Sequence, residues 1–221
     1  MKKVYASIST DPLKDSQSVI EYAKSLQEQA DFLHCDIMDG KFVEKITYNA
    51  DLVNDINQNS LIALDVHLMC EEPLFLIDEY LIAGANIITI HYEAFKDKNK
   101  IVEALKKIKK GGALAGISFR PETKIKDIKI FLHDFDVVLV MSVVPGASGQ
   151  QFMPESIEKI KQLAKLRDEN SFKFKIEVDG GINANNAKEI IDAGADMLVS
   201  GSFVYKADNK AKAIKQLRGE I

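Results

Sequence analysis

Phe32-Leu33-His34-Cys35-Asp36-Ile37-Met38, followed at once by Asp39-Gly40, is the stretch on which the fold turns. It reads as a short apolar strand that carries polar chemistry at its C-terminal end, just before a loop. Alternate side chains of a strand point the same way, so His34, Asp36 and Met38 share one face and Cys35 turns away. The same plan recurs in Asp65-Val66-His67-Leu68-Met69 and in Val178-Asp179-Gly180-Gly181. Working outward, nearly continuous Val/Ile/Leu runs mark strands at Val4–Ser9, Phe32–Met38, Ile62–Met69, Ile87–Tyr92, Ala113–Phe119, Val137–Val143, Lys175–Val178 and Met197–Gly201. Such runs suit strands buried on both faces. Amphipathic segments separate them at Ser16–Gln29, Asp51–Asn57, Pro73–Ile82, Ile101–Lys110, Ile125–Leu132, Ser156–Arg167, Ala184–Ala193 and Ala207–Leu217. Several end at glycine, as in Ala83-Gly84-Ala85, Lys110-Gly111-Gly112 and Ala193-Gly194-Ala195. Eight strands strictly alternating with eight helices in 221 residues favour a closed barrel over an open doubly wound sheet. The expected fold class is α/β, a (β/α)8 TIM barrel, with residues 1–221 forming a single domain.

Composition narrows the function. With 46% hydrophobic residues the chain can bury a substantial core, yet no apolar run approaches the roughly 20 residues that span a bilayer. Met1-Lys2-Lys3-Val4-Tyr5-Ala6-Ser7-Ile8 lacks the apolar core of a secretory signal. A formal net charge of -4 gives no reason to expect nucleic-acid binding. The two cysteines, Cys35 and Cys70, argue against a disulfide framework, so the expected location is cytoplasmic.

The polar residues fall at strand C-terminal ends, where such barrels carry their active sites. His34, Asp36, His67 and Asp179 offer two imidazoles and two carboxylates, a donor set suited to one divalent metal ion with positions left for substrate oxygens. Zinc is the expected ion, and iron(II), manganese and cobalt accept the same ligands. The carboxylates could also serve as a proton-transfer pair. Glycine-bearing loops follow strand six (Val144-Pro145-Gly146-Ala147-Ser148-Gly149), strand seven (Asp179-Gly180-Gly181) and strand eight (Ser200-Gly201-Ser202). At adjacent barrel positions they favour a phosphate site built from backbone N–H groups. Met38, Met69 and Met141 have inward parity and suit either core packing or an apolar collar around a reacting carbon. Asp65 and Glu177 lie one step deeper and suit partners that orient the ligands. His91 and Glu93 form a further pair, for which ligand support and simple rim hydrogen bonding are both open. No lysine stands where a Schiff base would need it, which weakens an aldolase reading.

With these residues in hand the chain resembles the ribulose-phosphate 3-epimerase family over nearly its whole length. The resemblance runs from Ala6-Ser7-Ile8 through His34–Val43, Asp65–Met69, His91-Tyr92-Glu93-Ala94, Val143-Val144-Pro145-Gly146, Val178–Ile182 and Gly201-Ser202. It implies that His34, Asp36, His67 and Asp179 ligate the metal and that Asp36 and Asp179 are the acid/base catalysts. It also implies that Ser7 and His67 touch the substrate, while Gly146, Ala147, Ser148, Gly149, Gly180, Gly181, Gly201 and Ser202 cradle its phosphate. The activity implied is interconversion of D-ribulose 5-phosphate and D-xylulose 5-phosphate, a step of the pentose phosphate pathway, by 1,1-proton transfer through a metal-stabilised enediolate. A homo-oligomer is expected by the same resemblance.

Three departures bear on the substrate. Phe119-Arg120-Pro121-Glu122-Thr123 stands where the family usually has Asn-Pro-x-Thr, Ala147-Ser148 alters the phosphate loop, and Lys41 replaces a frequent histidine. A cation at Arg120 near the barrel mouth could change which sugar phosphate fits. D-allulose 6-phosphate is therefore the main rival substrate. A lyase or decarboxylase on the same phosphate-binding barrel is the rival chemistry.

Overall fold

A computed structural model describes residues 3–10, 13, 15–147 and 149–221. Eight parallel strands close on one another in sequence order: β1 (Tyr5–Ser9), β2 (Phe32–Met38), β3 (Ala63–Met69), β4 (Ile87–His91), β5 (Leu114–Phe119), β6 (Val137–Met141), β7 (Lys175–Asp179) and β8 (Met197–Ser200). The helices around them are α1 (Ser16–Leu26), α2 (Ala50–Asn59), α3 (Ile77–Ile82), α4 (Asn99–Lys110), α5 (Ile125–Ile128), α6 (Ser156–Glu169), α7 (Ala187–Asp192), α8 (Ser202–Tyr205) and α9 (Lys210–Leu217). This is the (β/α)8 barrel that the alternation predicts. The boundaries of β2 match the expected ones, whereas α8 is an additional single turn placed directly after β8. None of the described helices is long and apolar enough to cross a membrane.

Local chemistry explains the helix limits. Asp15 caps α1 by accepting from the Ser18 N–H at 2.9 Å, and Asn209 caps α9 by accepting from the Lys212 N–H at 2.9 Å. Gly84 and Gly194 follow α3 and α7 with φ of 93° and 120°, a region that side chains resist.

The barrel interior is layered. At the N-terminal end Ile87, Val137 and Met197 pack with Tyr5 and Phe32 as an apolar plug. Above it lies a polar layer that includes Ser7, His34, Asp65 and Glu177, each fully buried. Register fixes what meets at the top: Asp36 pairs with His67, Met38 with Met69, and Met141 with Asp179. Cys35 faces the outer core, as strand parity requires, and burial pushes its thiol up to about 12.

A fourfold clamp holds the far end of the barrel. The residue just before each even-numbered strand turns its side chain back onto the second residue of the strand before it. Asp31 accepts from Ala6 N at 2.9 Å, Asn86 from Leu64 N at 2.7 Å, Asp136 from Ala115 N at 3.0 Å and Asp196 from Ile176 N at 2.9 Å. Basic side chains brace three of the four: Arg218 meets Asp31 at 2.6 Å, Lys109 meets Asp136 at 3.0 Å and Arg167 meets Asp196 at 2.5 Å. Asp196 is only 2% exposed, so removing its carboxylate strands a buried N–H and a guanidinium. Asp196→Ala is expected to cost about 2–3 kcal/mol in denaturant unfolding, and Asp196→Asn clearly less. A loss below about 0.5 kcal/mol for Asp196→Ala, within the range of an ordinary surface change, would remove the clamp from the account.

Candidate active site

Asp36 and Asp179 reach the C-terminal mouth of the barrel from β2 and β7 and face the same cleft. Met38, Met69 and Met141 line the same cleft and are each at most 5% exposed. Beneath its floor stand His34 and His67, both fully buried. One donor atom from each of His34, Asp36, His67 and Asp179 can be chosen so that all lie within 4.8 Å of one another. The structure thus brings together the residues that parity had set on one face of three strands.

The polar layer below aims these donors. Asp65 Oδ2 lies 2.6 Å from His34 Nδ1 and also accepts from Ser7 Oγ at 2.8 Å. With Nδ1 engaged, His34 Nε2 is left buried with no hydrogen-bond partner, 3.3 Å from Asp36 Oδ1. The same oxygen of Asp36 lies 3.1 Å from His67 Nδ1. A buried nitrogen without a partner is costly unless something fills the gap. Two imidazole nitrogens and two carboxylates around one point fit a divalent ion of the zinc type.

Electrostatics lead to the same point. Burial alone would discharge His34, but Asp65 and Asp36 outweigh it and raise its pKa well above the usual histidine value. Burial also opposes ionisation of Asp36 and Asp65, yet His34 holds both below the usual carboxylate range. Glu177 behaves oppositely. Burial and the Asp65 charge push it far up, so it is a neutral acid beneath the site. The pocket therefore attracts positive charge, a proton or a metal ion.

Other interactions set the loops. Thr47 Oγ1 donates to Asp36 O at 2.7 Å and accepts from Met38 N at 2.9 Å, folding the chain after β2 back along the strand end. Ser142 Oγ is 2.8 Å from the carbonyl oxygens of both Asp179 and Gly180, tying β6 to the end of β7. Gln150 Nε2 donates to Ala147 O at 2.8 Å and shapes the loop after β6. Gly181 has φ of 68°, and a Cβ there would come within 2.4 Å of Phe152 N, so only glycine fits. Gly146, Ala147, Gly149, Gly180, Gly181, Gly201 and Ser202 all line the cleft, while Ser148 lies outside the described residues.

The structure refines the expectations for Ser7 and Arg120. Ser7 is buried against Asp65 and does not line the cleft; Ser9 does, and its Oγ donates to Asp36 Oδ2 at 3.2 Å. Both serines have inward parity, and Ser9 is one step nearer the strand end where the chemistry lies. Arg120 stands at the barrel mouth as expected, in a recess it shares with Phe42, Gly146 and Ala147 beside the cleft. Its Nη2 donates to Phe42 O at 3.1 Å, and its guanidinium stacks over the Phe42 ring at 4.6 Å.

Fold and site together define a (β/α)8 barrel with a candidate active site at the C-terminal end of its strands. The family model described as the ribulose-phosphate 3 epimerase family matches residues 3–205. A ribulose-phosphate 3-epimerase of Chlamydia pneumoniae is 42% identical over 205 residues, 91% of this chain and 88% of that protein. One from Bacillus subtilis is 40% identical over 191 residues, 86% of this chain and 87% of that protein. The chain belongs to the ribulose-phosphate 3-epimerase family and is an isomerase of carbohydrate metabolism. Its fold is also similar to that of the 3-keto-L-gulonate-6-phosphate decarboxylase from Vibrio cholerae, with a TM-score of 0.75 at 13% identity over 99% of this chain and 97% of that one.

An ion entering this cluster must displace the proton that His34 holds in its absence. Zinc affinity measured by titration calorimetry is therefore expected to fall about tenfold per pH unit below the raised His34 pKa, with one proton released. An affinity that does not fall as the pH is lowered below that pKa would contradict the site.

Proposed function

We propose that the protein is a metal-dependent ketose-phosphate 3-epimerase that interconverts D-ribulose 5-phosphate and D-xylulose 5-phosphate. The observation that carries this reading is the pair Asp36 and Asp179, both facing the cleft and both able to share one ion with His34 and His67. Zinc is the proposed ion, the pentose phosphate pathway the proposed setting and the cytoplasm the proposed location.

Epimerisation beside a ketone removes the proton on C3 and returns one to the other face. One aspartate accepts that proton; the C3–H electron pair becomes the C2–C3 double bond, and the carbonyl pair moves onto the C2 oxygen. The other aspartate then donates a proton to the opposite face of C3, and the electrons return by the same route. Asp36 is held ionised chiefly by His34, which suits it to the accepting role. A divalent ion bound by the four residues supplies positive charge that offsets the negative charge gathering on the substrate oxygens. Met38, Met69 and Met141 keep water from the reacting carbon and so strengthen these electrostatic effects. The glycine loops after β6, β7 and β8 offer backbone N–H groups to the phosphate, far from C3, where binding serves positioning.

The tie between Arg120 and Phe42 supports the pentulose over the hexulose phosphate. The guanidinium that could select a different sugar is tied to Phe42 in a recess beside the cleft, next to Gly146 and Ala147, and does not point at Asp36 or Asp179. The intact set of metal donors likewise favours epimerisation over a metal-free lyase or decarboxylase reaction.

With D-ribulose 5-phosphate in deuterated water, the metal-replete protein should yield D-xylulose 5-phosphate deuterated at C3. D-allulose 6-phosphate should react more slowly, and a clear preference for it would overturn the pentulose assignment. Asp36→Asn and Asp179→Asn should each lower turnover by about 10³-fold or more while circular dichroism stays unchanged. Activity close to wild type in either variant would remove that residue from proton transfer.

A further inference from the structure

His91 ends β4, is fully buried, and belongs to neither the cleft lining nor the four-residue donor set. Both of its ring nitrogens are nonetheless engaged. Nδ1 lies 3.2 Å from Glu93 Oε2, and Nε2 lies 2.9 Å from Nε2 of His67.

Donor and acceptor roles follow in sequence from Glu93. Burial opposes its charge, but His91, the Thr123 hydroxyl and the Arg120 N–H bring its pKa down to about 2. An ionised carboxylate only accepts, so the proton of this contact is on His91 Nδ1. His91 is fully buried between the His67 and Phe42 rings, surroundings that favour the uncharged imidazole. A neutral imidazole has one N–H, which leaves His91 Nε2 as an acceptor. His67 must then donate from its own Nε2. Its Nδ1 is left as a bare lone pair, and it points at Asp36 Oδ1 from 3.1 Å. Two acceptors facing each other at that distance repel unless a cation lies between them.

Packing fixes the ring planes as well as the protons. His67 and His91 stack with centroids 5.0 Å apart, and Phe42 covers His91 at 4.8 Å. Glu93 is held from the β5 side by the Arg120 N–H at 3.0 Å and by the Thr123 hydroxyl.

We infer that His91 and Glu93 are positioning residues that fix His67 in the tautomer presenting Nδ1 to a divalent ion. The inference rests on the metal reading of the site. It adds that β4 and the loop after β5, which contribute no ligand, govern how tightly the ion is held.

Cobalt(II) titration of metal-free protein tests this, because the visible absorption of cobalt reports ligand geometry independently of turnover. Wild type should bind one cobalt per chain. His91→Ala should weaken binding by roughly 10–100-fold and shift the visible bands. His91→Gln, whose amide can accept from His67 and donate to Glu93, should recover most of the affinity and the wild-type spectrum. Should His91→Ala fail to fold, Glu93→Ala carries the same test. Wild-type affinity and bands in folded His91→Ala or Glu93→Ala would overturn the inference while leaving the metal site intact. Absence of cobalt uptake by wild type would instead overturn the metal reading itself.

Discussion

Parallel register sets Asp36 beside His67, and the layer beneath sets His34 against Asp65. As a result Asp36 Oδ1 lies 3.3 Å from His34 Nε2 and 3.1 Å from His67 Nδ1, with Asp179 close enough to share the same point. Electron-rich atoms converge there inside a buried space, and only positive charge makes that arrangement stable. The strands cannot relieve the crowding by slipping, since a one-residue shift would turn every inward side chain outward. On the proposed reading that positive charge is a divalent ion, and the backbone pairing fixes where it sits.

Much of the surrounding structure maintains that condition. The apolar plug of Ile87, Val137 and Met197 closes the barrel below, and the three methionines limit water above. Glu177 stays neutral under the site, which keeps a further negative charge away from the cluster. The four Asp/Asn clamps pin successive strand pairs at the far end. Stability and chemistry are thereby divided between the two ends of the barrel, as is general for this architecture.

The fold and the donor set were legible because both depend on periodicity. Strand parity alone separates His34 and Asp36 from Cys35, and it sets Asp65 one layer below His67. Ser7 was expected at the substrate through the family resemblance alone, whereas the register of β1 against β2 sets Ser9 beside His34 and nearer the mouth. Arg120 shows a different limit. A charge read from sequence has no direction, and this one is turned toward Phe42 by a carbonyl and a ring from 78 residues away. Thr47 and the β-end clamps were invisible for a similar reason, since a short polar side chain reveals its backbone partner only after folding. The Asp or Asn directly before each even strand was the one available signal. The pair His91 and Glu93 was visible, but its link to His67 required a contact between β3 and β4.

The account stands or falls on a cation at the convergence of these atoms. The most direct measurement is anomalous diffraction from crystals grown with zinc, recorded above and below the zinc edge. The account predicts one strong site per chain within coordination distance, about 2.0–2.2 Å, of His34 Nε2, Asp36, His67 Nδ1 and Asp179. No anomalous site there, or a metal bound only at other residues, would contradict it.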